Sequence, residues 1–87
     1  MNTFMLTVST PDGTRFRDRV YMLSLQGSEG SLAVLSGHIP MMTAVLPGEC
    51  RVELPDGSER IGVLGEGLLS VASEETTLLS SEFSWKE

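Results

Sequence analysis

The chain has 87 residues, 40% of them apolar, and a formal net charge of −6. That length fits one domain, with an expected folded surface of roughly 5,000 Å². Six cations against twelve acids exclude a broad basic patch, and with it recognition of a nucleic-acid backbone.

In chain order, FMLTVS at 4–9 has the β-branched and aliphatic content of a strand, and the N-terminus lacks the basic start and long apolar run of a signal peptide. TPDG at 10–13 is a tight-turn signal: proline presets the first turn residue and glycine takes the positive φ. The run Thr14 to Leu25 is long for one strand. Phe16, Val20 and Met22 fall on one side, interrupted by Asp18, and Tyr21, Leu23 and Leu25 on the other. The switch from polar to apolar beyond Tyr21 predicts a bend or bulge near Arg19 to Tyr21 that carries the chain between sheets. Arg15, Arg17 and Arg19 alternate and share one strand face, read as a solvated face with an anion or partner contact as the alternative.

Turn signals continue with GSEG at 27–30, SGHIP at 36–40, LPGE at 46–49, a second Pro-Asp-Gly at 55–57, LGEG at 64–67 and ASEE at 72–75. Spacing near 8–12 residues, with short runs such as ECRVEL and TTLLSS between, predicts an all-β fold: a small two-sheet β-sandwich or flattened barrel of about eight to ten short strands. No segment carries a helical stripe with a cap at its start, so no helical domain is expected. Residues 1–87 form a single domain, and 83–87 are expected as a short tail.

Catalytic constellations are missing. There is no Gly-x-Ser-x-Gly, no phosphate-binding loop ending in Lys-Ser/Thr, and no second His or Cys to complete a metal set. Gly65-Glu66-Gly67 is followed by Ser70 where a dinucleotide fingerprint needs its third glycine. Glu74 and Glu75 are adjacent and would point to opposite faces of a strand, so they read as a turn and not as an acid/base pair. The lone His38 is read as structural or interfacial, not catalytic, and Cys50 as a small buried hydrophobe, not a nucleophile. One cysteine cannot form an internal disulfide, and the apolar window IPMMTAVL is far short of the roughly 18 residues of a membrane span. A soluble chain in the reducing cytoplasm, without catalytic function of its own and without cofactor or metal, is expected.

The stronger signal is hydrophobic. Written as extended chain, HIPMMTAVL places Ile39, Met41 and Val45 on one side and Pro40, Met42, Ala44 and Leu46 on the other. A sheet in a two-layer sandwich has one face toward water, so a strand apolar on both sides leaves methionine outside, next to a glycine-rich loop. Single exposed apolar residues are common. Two neighbouring methionines still suit a broad, adaptable contact surface.

Laid end to end, these pieces resemble the N-terminal β-sandwich of the epsilon subunit of F-type ATP synthases. LTVSTPDGTRF matches the first strand and turn of that family, and GSEGSLAVLSGHIPMMT its Gly-x-x-Gly-Glu-Leu-Gly-Ile-x-Pro-Gly-His-Ala-Pro-Leu-Leu-Thr pattern. AVLPGECRVELPDG and VLGEGLLSVASEETTLLSSE follow its later strands, so the resemblance covers roughly residues 4–82. Ser31, Ala33 and Ser36 replace a common acid, glycine and proline, the Gly-Gly pair is broken by Glu66, and the chain stops at SSEFSWKE, where many members continue into a helical hairpin.

The resemblance implies a rotor subunit wedged between gamma and the c-ring, peripheral on the cytoplasmic membrane face and not inserted in it. Gly27, Ser28, Glu29, Gly30 and Ser31 would face the c-ring loops, with Glu29 supplying the charge that Ser31 lacks. His38, Pro40, Met41, Met42 and Thr43 would lie against gamma. Without the hairpin, neither ATP binding nor inhibition by insertion is expected, and Trp85 would fold back over an open sheet edge. The competing expectation, a stand-alone ligand-binding barrel, requires an enclosed cavity.

Overall fold

The structure is a computed structural model and describes residues 2–86. Ten strands are present: β1 Phe4–Thr10, β2 Gly13–Val20, β3 Met22–Gly27, β4 Gly30–Leu35, β5 Met41–Val45, β6 Gly48–Glu53, β7 Glu59–Leu64, β8 Gly67–Val71, β9 Glu75–Ser80 and β10 Phe83–Trp85. They are hydrogen-bonded in the order β10-β7-β6-β3-β5-β8-β9-β1-β2, with β4 on β3. β3 and β5 share a single pair, Gly27 with Val45, and there the path folds over. The result is two layers, β10-β7-β6-β3-β4 and β5-β8-β9-β1-β2, closed over one core: the expected flattened barrel.

Alternation drives this closure. Phe4, Leu6 and Val8 of β1, Leu23 and Leu25 of β3, Leu69 and Val71 of β8, and Leu78 of β9 point inward and are buried, with Leu6, Leu23, Leu69 and Leu78 fully shielded. Each such side chain removed from water contributes about 1.5–3 kcal/mol. The total surface of 5011 Å² matches the value expected from mass alone.

The expected bend falls at Tyr21. β2 pairs β1, whereas β3 pairs β4 and β6, and Tyr21 donates its amide to the Glu53 carbonyl at 2.8 Å. The bend shifts the inward parity by one, from Val20 to Leu23 and Leu25. Both Pro-Asp-Gly turns behave as read, with φ of +121° at Gly13 and +92° at Gly57.

The C-terminal reading needs correction. Residues 83–85 are not a tail but β10, which pairs antiparallel with β7, and Glu87 lies outside the described residues. The cause is aromatic. Trp85 meets Phe83 and Phe16 edge-to-face at 4.9 and 5.3 Å, and the Arg60 guanidinium stacks 3.8 Å from its ring centre. Each such contact is worth about 0.5–1.5 kcal/mol beyond burial. Because Phe16 belongs to β2, Trp85 closes the seam between the two layers.

Two glycines are explained by close approach. A Cβ on Gly67 would sit 2.0 Å from the Leu79 carbonyl oxygen, and one on Gly62 would sit 2.6 Å from the Phe83 ring. Replacing Gly67 with alanine should therefore force β8 and β9 apart and lower the thermal midpoint by roughly 10 °C in a circular-dichroism melt. Cys50 is buried, and that burial pushes its thiol up to about 11. Iodoacetamide near pH 8 should leave the native protein unlabelled over the time in which the urea-unfolded chain reacts fully.

Candidate partner-docking surfaces

The turn at 27–31 is a tight hairpin. Gly27 pairs Gly30, which takes φ +127°, so Ser28 and Glu29 form the tip. The Ser31 hydroxyl donates to Gln26 Oε1 at 3.0 Å across the hairpin. Ser28, Glu29 and Ser31 are exposed, while Gly27 is buried against Leu32. The hairpin base is tied to the other layer by Ser28 N to the Ala44 carbonyl and Leu46 N to the Gln26 carbonyl, both at 3.0 Å.

His38 sits half-buried in the 36–40 connection. Its amide donates to the Leu35 carbonyl at 3.1 Å, and Nδ1 lies 2.7 Å from the Ile39 carbonyl. A carbonyl only accepts, so Nδ1 carries the hydrogen there. This backbone-held imidazole has the geometry of a loop fastener. It lines a cleft of about 300 Å³ with Arg19 and Glu74, at the end of the sandwich where Phe4 and Val71 also meet.

The paired methionines divide as the alternation requires. Met42 is 66% exposed, and Ile39 beside the turn is 75% exposed. Met41 is only partly buried and packs against the core, and Thr43 shares its inward side with Val45. Of the five residues assigned to the gamma side, Pro40 and Met42 are open, while His38, Met41 and Thr43 present only part of their surface. The two residue groups are also not on opposite faces: Glu29, Gly30 and Ser31 line one cleft of about 260 Å³ with Met41, Met42 and Thr43.

Two residues of this surface escape the sequence reading. Leu68 and Leu79 pair across β8 and β9, Ala44 pairs Leu68 on the other side, and the leucines are 37% and 49% exposed. With Pro11 they line an apolar cleft of about 440 Å³. The signal was available: Leu68-Leu69 and Leu78-Leu79 are adjacent apolar pairs, and in a strand one member of each must face out. The neighbouring row, Met42, Ser70, Thr77, Thr7 and Arg17, runs across five strands on the same outer face. Its polar centre is held by Glu75, which accepts from the Thr7 hydroxyl and lies 3.7 Å from Arg17 Nη2.

The interior differs from a ligand cavity. Aliphatic and aromatic side chains fill it, and among the described residues the two buried polar side chains are Thr76 and Ser80, the latter bonded through its hydroxyl to Gly65 and Glu82 backbone. Among the described residues, no three of His, Cys, Asp and Glu come together as a metal set, and no helix is long and apolar enough to cross a membrane.

Known proteins place the fold. The family model for the ATP synthase delta/epsilon chain β-sandwich domain matches residues 3–86. A chain of the Euglena gracilis mitochondrial ATP synthase (OSCP/F1/c-ring, rotational state 1) superposes with a TM-score of 0.89 at 22% identity, over 95% of this chain and 53% of that one. A chain of the Tetrahymena thermophila mitochondrial ATP synthase central stalk and c-ring does so at 0.78 and 13% identity, over 95% of this chain and 66% of that one. The chain thus spans less than two thirds of either similar chain. It belongs to the ATP synthase delta/epsilon chain family, in which it corresponds to the β-sandwich domain.

Proposed function

We propose that this chain is a non-catalytic central-stalk subunit of an F-type ATP synthase, linking gamma to the c-ring so that ring rotation and gamma turn together. The observation that carries the reading is the outer face of the second layer, where Met42, Leu68 and Leu79 stand exposed on three consecutive strands. Large apolar side chains in two adjacent rows of one sheet face mark a contact surface on a small domain. Two ordinary interfaces of about 800 Å² each would cover roughly a third of the 5011 Å² surface.

In this reading Met42, Pro40, Leu68 and Leu79 pack against gamma, with His38 fixing the loop beside them. The 27–31 hairpin tip, with Glu29, Ser28 and Ser31, meets the polar loops of the ring. The chain is held at the membrane surface through the ring, not by a span of its own. A coupling element must not shear, and the two contact groups lie next to each other. Load entering at the hairpin tip reaches β5 through the Ser28 and Leu46 backbone hydrogen bonds. Transmission through peptide groups involves no long flexible side chain.

Met42→Asp tests the gamma face. It should weaken capture of gamma by more than about tenfold, because a carboxylate would be desolvated in the contact, while Trp85 emission stays that of the folded chain. Undiminished capture with unchanged emission would remove this face from the interface. The same reading expects no nucleotide site: calorimetric titration with ATP at cellular concentrations should give no saturable heat, and a saturable isotherm would count against it.

A further inference from the structure

The first 48 residues are electrically balanced, and their only cations, Arg15, Arg17 and Arg19, stand on one strand. All three are exposed: Arg17 and Arg19 stand on the outer face of β2 while Phe16 and Val20 face the core, and Arg15 is the extra residue of a bulge, since Phe16 pairs Val8 and Thr14 pairs Ser9. At a strand rise of about 3.4 Å, the Arg17 and Arg19 side chains are rooted roughly 7 Å apart. The other cations are engaged: Arg51 pairs Glu59 at 3.6 Å, Lys86 pairs Glu49 at 2.6 Å, and Arg60 lies over Trp85. On β2 the engagement is partial. Arg17 reaches Glu75 only at 3.7 Å, Arg19 spends Nε and Nη2 on Thr3, and Arg15 forms no ion pair among the described residues. Arg15 instead lines a cleft of about 360 Å³ beside Trp85.

We propose that Arg15, Arg17 and Arg19 form a cationic stripe that takes the carboxylates of an acidic segment on the protein partner covering the outer face of the second layer. The inference rests on the docking face proposed above. The row from Met42 to Arg17 spans five strands, about 19 Å at 4.8 Å per step. An interface of about 800 Å² is some 30 Å across, so a partner seated on Met42 and Leu68 reaches the stripe. In a chain of net charge −6, long-range repulsion opposes an acidic partner except along this strand, so the stripe also sets orientation. Strand addition at the β2 edge is the weaker geometry, because Asp18 Oδ1 already accepts from the Arg19 amide at 2.8 Å.

Gamma binding kinetics at low and high salt test this with Arg15→Glu, the triple reversal Arg15→Glu/Arg17→Glu/Arg19→Glu, and Arg51→Gln on the opposite layer. Arg15→Glu should weaken binding about fivefold and the triple variant about fiftyfold at low salt, mainly through association rate, with the differences shrinking to under about twofold near 0.5 M salt. Arg51→Gln should match the unmodified chain, and Trp85 emission monitors folding throughout. Should the triple variant be misfolded, Arg15→Glu alone decides. If folded reversal variants bind gamma as the unmodified chain does while Met42→Asp still abolishes capture, the stripe is a solvated edge and the inference fails alone. If Met42→Asp is also silent, the docking face falls too. Loss of binding to phosphatidylglycerol vesicles with gamma binding intact would assign the stripe to lipid and overturn the proposal.

Discussion

The two layers are joined at one edge by a short transfer of backbone pairing between β3 and β5. β3 pairs β6 through Met22, Leu23 and Ser24, then turns its far end to β5 at Gly27. The backbones approach closely there: a Cβ on Gly27 would lie 2.9 Å from Leu32 Cδ2 and 3.3 Å from the Gly30 carbonyl oxygen. The opposite seam lacks a ladder and is closed by Phe16 on Trp85 instead. One edge is thus fastened by hydrogen bonds and the other by aromatic packing, which accounts for a rigid body in so few residues.

Stiffness here owes little to charge. The three ion pairs join side chains about half exposed, and pairs of that kind contribute about 0–1 kcal/mol each. The parallel pairing of β1 with β9 ties residues some seventy positions apart, from Met5 with Glu75 to Ser9 with Leu79. That single ladder makes the N-terminal strand a central strand of its layer. Its outer face carries Thr7 against Glu75, a local contact on a frame already set by Leu6, Val8 and Leu78.

How much of this was legible depended on the range of the interaction. Alternation and turn residues are local, so the strand content, both Pro-Asp-Gly turns and the break at Tyr21 could be read directly. The hairpin Gly27–Gly30 and the outward Met42 followed from the same rules. The β1–β9 pairing was not legible, because no local pattern records which distant strand completes a sheet. β10 was missed because three residues, Phe83, Ser84 and Trp85, are too few for a periodicity, and their placement depends on Phe16 far upstream. The adjacency of the 27–31 and 38–43 residues at a shared cleft was not legible either, because it depends on how the hairpin seats on β5.

That adjacency changes what the exposed apolar surface has to do. An isolated sandwich with Met42, Leu68 and Leu79 on one face and edge strands at β2, β10 and β4 invites association with copies of itself. Two of these edges are defended: β2 carries three exposed arginines with Asp18 holding one of its amides, and Trp85 of β10 covers the seam. The apolar face is not. Defended edges around an undefended face direct association away from strand addition and toward packing on that face, where shape and side-chain fit select the partner. The hairpin tip beside it is polar and glycine-rich, suited to meeting loops rather than a packed surface. In the function proposed above, such a body, with one greasy face and a polar tip joined to it by backbone hydrogen bonds, would hold two different neighbours at once without a moving part.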